Sequence, residues 1–213
     1  MKRILLCSSS ILLLIFLSVN AQAYVVVKEQ LPHLTPGGLA SGVYSPLHEG
    51  GVRVFDDFTL DSNYSITGIN WWGLYTPSYS GDSSFTLSFY AVGDVPSGSP
   101  IQVSSSSVTG INRGDGVYQY SAVLATPFDA TANTTYWLSI YNTAPGSPRW
   151  WGWQRANDDG NGSIQSPKDF PGTPYNVAFQ LTADSPVPIP AAGWLLGAGL
   201  IALVLIRRRV TVR

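Results

Sequence analysis

Between Tyr24 and Pro186, apolar side chains recur at every second position, and no stretch of a dozen residues repeats them at helical spacing. Phe85, Leu87 and Phe89 alternate with Thr86 and Ser88. Tyr136, Leu138 and Ile140 alternate with Trp137, Ser139 and Tyr141, and Val177, Phe179 and Leu181 with Asn176, Ala178 and Gln180. Successive side chains of a strand point to opposite faces, so this period buries one face of a sheet and leaves the other for water or a second layer. Further strands are predicted over 52–60, 64–75, 101–108 and 117–124. Clusters of Gly, Pro, Ser, Asn and Asp over 78–84, 93–100, 112–116, 144–148 and 157–162 separate them. Roughly 160 residues are enough for one domain with a real core. The expected fold is all-β: a single β-sandwich, jelly-roll-like.

The two ends follow other rules. Lys2 and Arg3 precede an apolar run from Ile4 to Leu17, and Ala21-Gln22-Ala23 places small residues where signal peptidase reads. Residues 1–23 are therefore expected to be a signal peptide, with the mature chain starting at Tyr24. Cys7 follows Leu6 and lies too early for a lipoprotein signal. Once it is removed no cysteine remains, which excludes disulfides, thiolate metal sites and cysteine nucleophiles together. At the other end, Val187-Pro188-Ile189-Pro190 closes a Pro-rich stalk over 183–190. An uncharged run from Ala191 to Ile206 follows, then Arg207-Arg208-Arg209 within a basic tail over 207–213. Sixteen residues at helical rise span roughly 24 Å, slightly short of a hydrocarbon core of about 30 Å. Trp194 near the outer end suits the headgroup region.

A short Pro motif, one membrane-length apolar segment and an immediate Arg cluster, in that order, resemble the PEP-CTERM sorting signal of Gram-negative bacteria. The variant is the one that reads Val-Pro-x-Pro-Ala-Ala; Ile189 stands where the eponymous Glu would be. The resemblance implies export, retention by residues 191–206 as a transmembrane helix, and processing near the Pro motif by an exosortase-type membrane protease. Several stretches are also similar to an ectodomain that recurs with this tail. They are 57–60, 66–73 (Ile-Thr-Gly-Ile-Asn-Trp-Trp-Gly), 85–91, 134–140, Trp151-Gly152-Trp153 and 178–182. That second resemblance implies the sandwich over 24–182 and no particular activity.

Charge agrees with this topology. Six of the twelve basic residues flank the two apolar segments, and the stretch from Tyr24 to Pro186 holds six basic residues against all thirteen acidic ones. Basic residues stay on the cytoplasmic side of such segments, leaving the acidic body outside. A negative body repels polyanions, which argues against nucleic acid as a partner.

Chemistry-bearing patterns are sparse. No Gly-x-Ser-x-Gly elbow occurs, and His33 and His48 lack ligand spacing. Asp56-Asp57 begins a predicted strand, where alternation turns the two carboxylates to opposite faces. No catalytic residue and no cofactor are assigned. Asn157, Asp158, Asp159 and Asn161 bring oxygen ligands near Gly160 and Gly162, yet lack the alternating acids and the later Glu of a calcium loop. They are a loop first and a calcium candidate second. Arg113-Gly114-Asp115 reads as the tip of a turn.

Six of the seven tryptophans lie in the body. Adjacent pairs on a strand must split between faces, so one of Trp71/Trp72 and one of Trp150/Trp151 points away from the core. Trp72 and Trp150 are the expected outward members. Such rings either pack under loops or stack on sugars. The expected protein is a non-enzymatic, exported surface or extracellular-matrix protein that meets signal peptidase, an exosortase-type protease and, through exposed tryptophans, extracellular polysaccharide. A carbohydrate-binding module is the alternative, and a secreted hydrolase the third reading.

Overall fold

Alternation is realised in twelve strands of a computed structural model, which describes residues 23–43, 50–77, 82–92, 98–144, 149–157, 162–166 and 175–185. They are β1 (Ala23–Gln30), β2 (Gly38–Ala40), β3 (Arg53–Thr59), β4 (Tyr64–Thr76), β5 (Asp82–Ala91), β6 (Gln102–Thr109), β7 (Ile111–Asn112), β8 (Tyr118–Ala130), β9 (Thr135–Asn142), β10 (Trp150–Gln154), β11 (Ile164–Ser166) and β12 (Phe179–Ser185). Among the described residues none is helical. Tyr24–Asp184 forms one compact unit.

The strands make two sheets. In the larger, β4 is central: β8 lies along one edge, while β12 and then β10 share the other. Beyond them β1 pairs with β12, β2 with β10, and β7 with β8. The smaller sheet runs β11-β3-β9-β5-β6. Neighbouring strands run antiparallel, from Phe85↔Asn142 to Ala91↔Tyr136 between β5 and β9 and from Phe179↔Trp71 onward between β12 and β4.

Rings from both sheets meet in the core. Phe89 of β5 stacks on Phe128 of β8 with centroids 4.1 Å apart. Phe85 of β5 meets the edges of Trp71, Tyr120 and Trp151 at 5.0–5.2 Å. Phe58 of β3 reaches Phe179 of β12 at 6.4 Å. Such aromatic pairs add roughly 0.5–1.5 kcal/mol beyond area burial, so this seam is what holds the layers face to face. Gly73 serves it: a Cβ there would overlap the Trp151 indole packed against the strand. Tyr75, Ser83 and Asn142 add a buried polar link between sheets, with Tyr75 Oη 2.8 Å from Ser83 Oγ and 2.9 Å from Asn142 Nδ2.

The all-β, two-sheet expectation is met, with local differences. The loop expected at 78–84 gives up Asp82–Ser84 to β5. Ala183–Ser185, expected in the stalk, complete β12 instead, and the rest of the expected stalk lies outside the described residues. β8 continues six residues beyond 124, through Pro127, with a register irregularity opposite Ile66/Gly68. A proline lacks the ladder donor, and a bulge is where a strand tolerates it.

Candidate functional site

Gln154 ends β10 fully buried, and its side chain organises the segment from His33 to Gly37. Its Oε1 accepts from Gly37 N–H at 3.0 Å, and its Nε2 donates to the carbonyls of His33 and Thr35 at 3.3 and 3.1 Å. Backbone bonds from His33 N to Arg155 O and from Arg155 N to Gly37 O fasten the same segment to the chain after β10. A buried amide with both its donor and acceptor ends satisfied fixes a loop that propensity alone would not.

Two clefts lie along this segment. One, of about 410 Å³, is bounded by Leu31, Pro32, Leu34, Arg113, Asp115 and Trp72. The other, of about 370 Å³, is bounded by Thr35, Pro36, Gly37, Arg155, Ala156 and Tyr175. His33 lines both. Its Nδ1 accepts from Thr35 N–H at 3.0 Å. Arg155 places its guanidinium 4.4 Å from the centroid of the Tyr175 ring. On the first cleft's far wall, the Arg113-Gly114-Asp115 turn is held by Gly114 N–H on Asn112 Oδ1 (2.7 Å) and Val117 N–H on Asp115 Oδ1 (2.9 Å). Gly114 takes φ 99°, the left-handed region that a side chain resists.

The tryptophans divide between faces as alternation requires, but facing outward does not leave them open. Trp71, Trp151 and Trp153 are fully buried between the sheets. Trp72 points to the other face, yet is only 5% exposed, packed with Val117, Ala156 and Ala178. The expectation that Trp72 is an exposed stacking platform is therefore corrected: the chain after β10 and before β12 covers it, although it still borders the first cleft. Trp150, also outward, is half-buried. Trp137 of β9 is half-buried on the outer face of the smaller sheet, in register between Asp57 and Tyr90. The sequence reading did not single out Tyr175, 39% exposed, or Arg155. Isolated residues in loops carry no periodic signal.

The paired acids separate as expected. Asp56 is fully buried and Asp57 half-buried on the opposite face. Asp56 accepts from Asp57 N–H at 3.0 Å and Val177 N–H at 2.7 Å. With its amide nitrogen turned inward, Gln30 also donates to Asp56 at 3.0 Å. This carboxylate ties β3 of one sheet to the chain entering β12 of the other, a structural role.

Among the described residues no group of three or more His, Cys, Asp or Glu is placed to hold a metal ion. Of the calcium candidates, Asn157 is exposed, while Asp158, Asp159 and Asn161 lie outside the described residues, as does His48. Ala23 and Tyr24 open β1. Ala21, Val187, Pro188, Ile189, Pro190, Arg207, Arg208 and Arg209 lie outside the described residues. No described helix is long and apolar enough to cross a membrane.

A family described as a domain of unknown function (DUF7901) matches residues 101–171, from the start of β6 past β11. That stretch includes Arg113, Asp115 and Arg155 but neither His33 nor Trp72. No curated protein matches the chain.

Proposed function

We propose that the chain is a non-enzymatic protein exported across the inner membrane and displayed at the cell surface or in the extracellular matrix. Residues 1–23 act as the signal peptide. The 191–206 segment is a transmembrane helix that retains the protein transiently, and an exosortase-type protease processes it near Val187-Pro188-Ile189-Pro190. The sandwich between these ends is read as jelly-roll-like.

One observation carries the structural side of this reading. Among the described residues, the main core draws its buried members from Leu39 to Leu181, all between the two proposed cut sites. Cutting after Ala23 or near Pro188 keeps every one of these core side chains, which supports a body able to persist outside the membrane. Removing 187–213 should convert the membrane-held precursor into a soluble exported protein, because no second long apolar run follows the signal peptide. Fractionation of cells expressing that deletion tests it; finding the truncated protein still embedded in membrane contradicts the reading.

A further inference from the structure

The body is acidic, yet among the described residues the cleft at Arg155 is lined by a cation and by no acidic side chain. Arg155 is half-buried, and its Nε–H is buried without an acceptor. Its guanidinium rests on Tyr175 at 4.4 Å, and no described carboxylate pairs with it. A guanidinium is a planar fork of donors matched to a carboxylate, and a buried donor without an acceptor is costly to keep. The opposite rim is held in place beforehand by Gln154, through its three hydrogen bonds to Gly37, His33 and Thr35.

We propose that this cleft binds the carboxylate of an acidic sugar. Arg155 takes the carboxylate, and Pro36 and Tyr175 supply apolar surface for the pyranose ring. The volume, about 370 Å³, lies at the small end of ligand pockets and suits one or two sugar rings. An exposed charge loses influence beyond a Debye length of about 8 Å at physiological salt, so for a single carboxylate a cation in direct contact outweighs distant acids. A dense polyanion still meets the repulsion of the whole body. Choosing a sugar over a peptide carboxylate rests on the extracellular setting proposed above; binding by purified protein is independent of where the protein goes.

The test is calorimetric titration of the full chain in detergent with glucuronate, glucose, acetate and a short peptide with a free C-terminal carboxylate. Glucuronate should bind saturably and at least about tenfold more tightly than glucose, the value of one charge-assisted hydrogen-bonded contact, and more tightly than acetate or the peptide. Arg155→Gln should lose about tenfold in glucuronate affinity at unchanged melting temperature. If that variant does not fold, Arg155→Lys keeps the charge without the fork and should still bind several-fold more weakly. No saturable binding of glucuronate, equal affinity for glucose, or a lysine variant that binds like the parent overturns the site. Tighter binding of the peptide or of acetate overturns the sugar assignment.

Discussion

Asp56 shows how much one side chain carries here. It gathers donors from Asp57, Val177 and Gln30 in the interior, so Asp56→Ala leaves buried N–H groups without an acceptor. Each such group costs about 1–3 kcal/mol, and the variant should unfold at clearly lower urea than the parent. Asp56→Asn should also be destabilised, since it turns an amide donor toward donors. An unchanged midpoint for both would contradict the assignment. Tryptophans give a graded series. Trp71→Ala, fully buried, should lose about 3–5 kcal/mol as other core aromatic truncations do, whereas half-buried Trp150→Ala should lose far less. Tyr120 adds a pH signature. Burial is the main cause raising its phenol well above the usual tyrosine range, with further upward pushes from Tyr75 and Tyr118, against the polar groups of Ser83 and Trp151, which lower it. A group whose folded pKa is raised contributes stability that is full below the unfolded value and is lost as pH rises toward the folded one. Melting temperature should fall once pH passes about 10, the unfolded tyrosine value, and Tyr120→Phe should remove part of that fall, the half-buried Tyr141, also raised by burial, keeping the rest. An identical alkaline decline in Tyr120→Phe would argue against it.

At the scale of elements, legibility followed periodicity. β5, β9 and β12 are strict two-residue repeats, and their core faces were plain from Phe85, Leu87, Phe89, Leu138, Ile140, Phe179 and Leu181. β8 was read short because Ala125-Thr126-Pro127 breaks the repeat where the strand itself is irregular. β2, β7 and β11 span two or three residues, too short for any period to show, and exist only through their partners. The candidate site was least legible. Alternation put Trp72 on the outer face, but no local pattern discloses that Ala156 and Ala178, over 80 positions away, will cover it. Gly73 illustrates the same distance dependence: its need for a bare α-carbon arises from Trp151 on a neighbouring strand. Gly73→Ala should therefore cost more than the roughly 1 kcal/mol scale of strand propensity, because a fully buried indole must move. A melting curve unchanged by that substitution would show the contact to be looser than described.

In the molecule as a whole, an acidic body lies between two apolar segments, each flanked by basic residues. Under the proposal, the body supplies the fold and the ends an address. Intact-mass analysis of the protein recovered from the surface of cells that hold the cognate protease tests this most directly. The expected species starts at Tyr24 and ends close to Val187–Pro190, with an uncut tail when Pro188 and Pro190 are both changed to Ala, since proline disfavours helix at and just before its position. Surface protein that still carries the tail through Arg213 in the parent would contradict it.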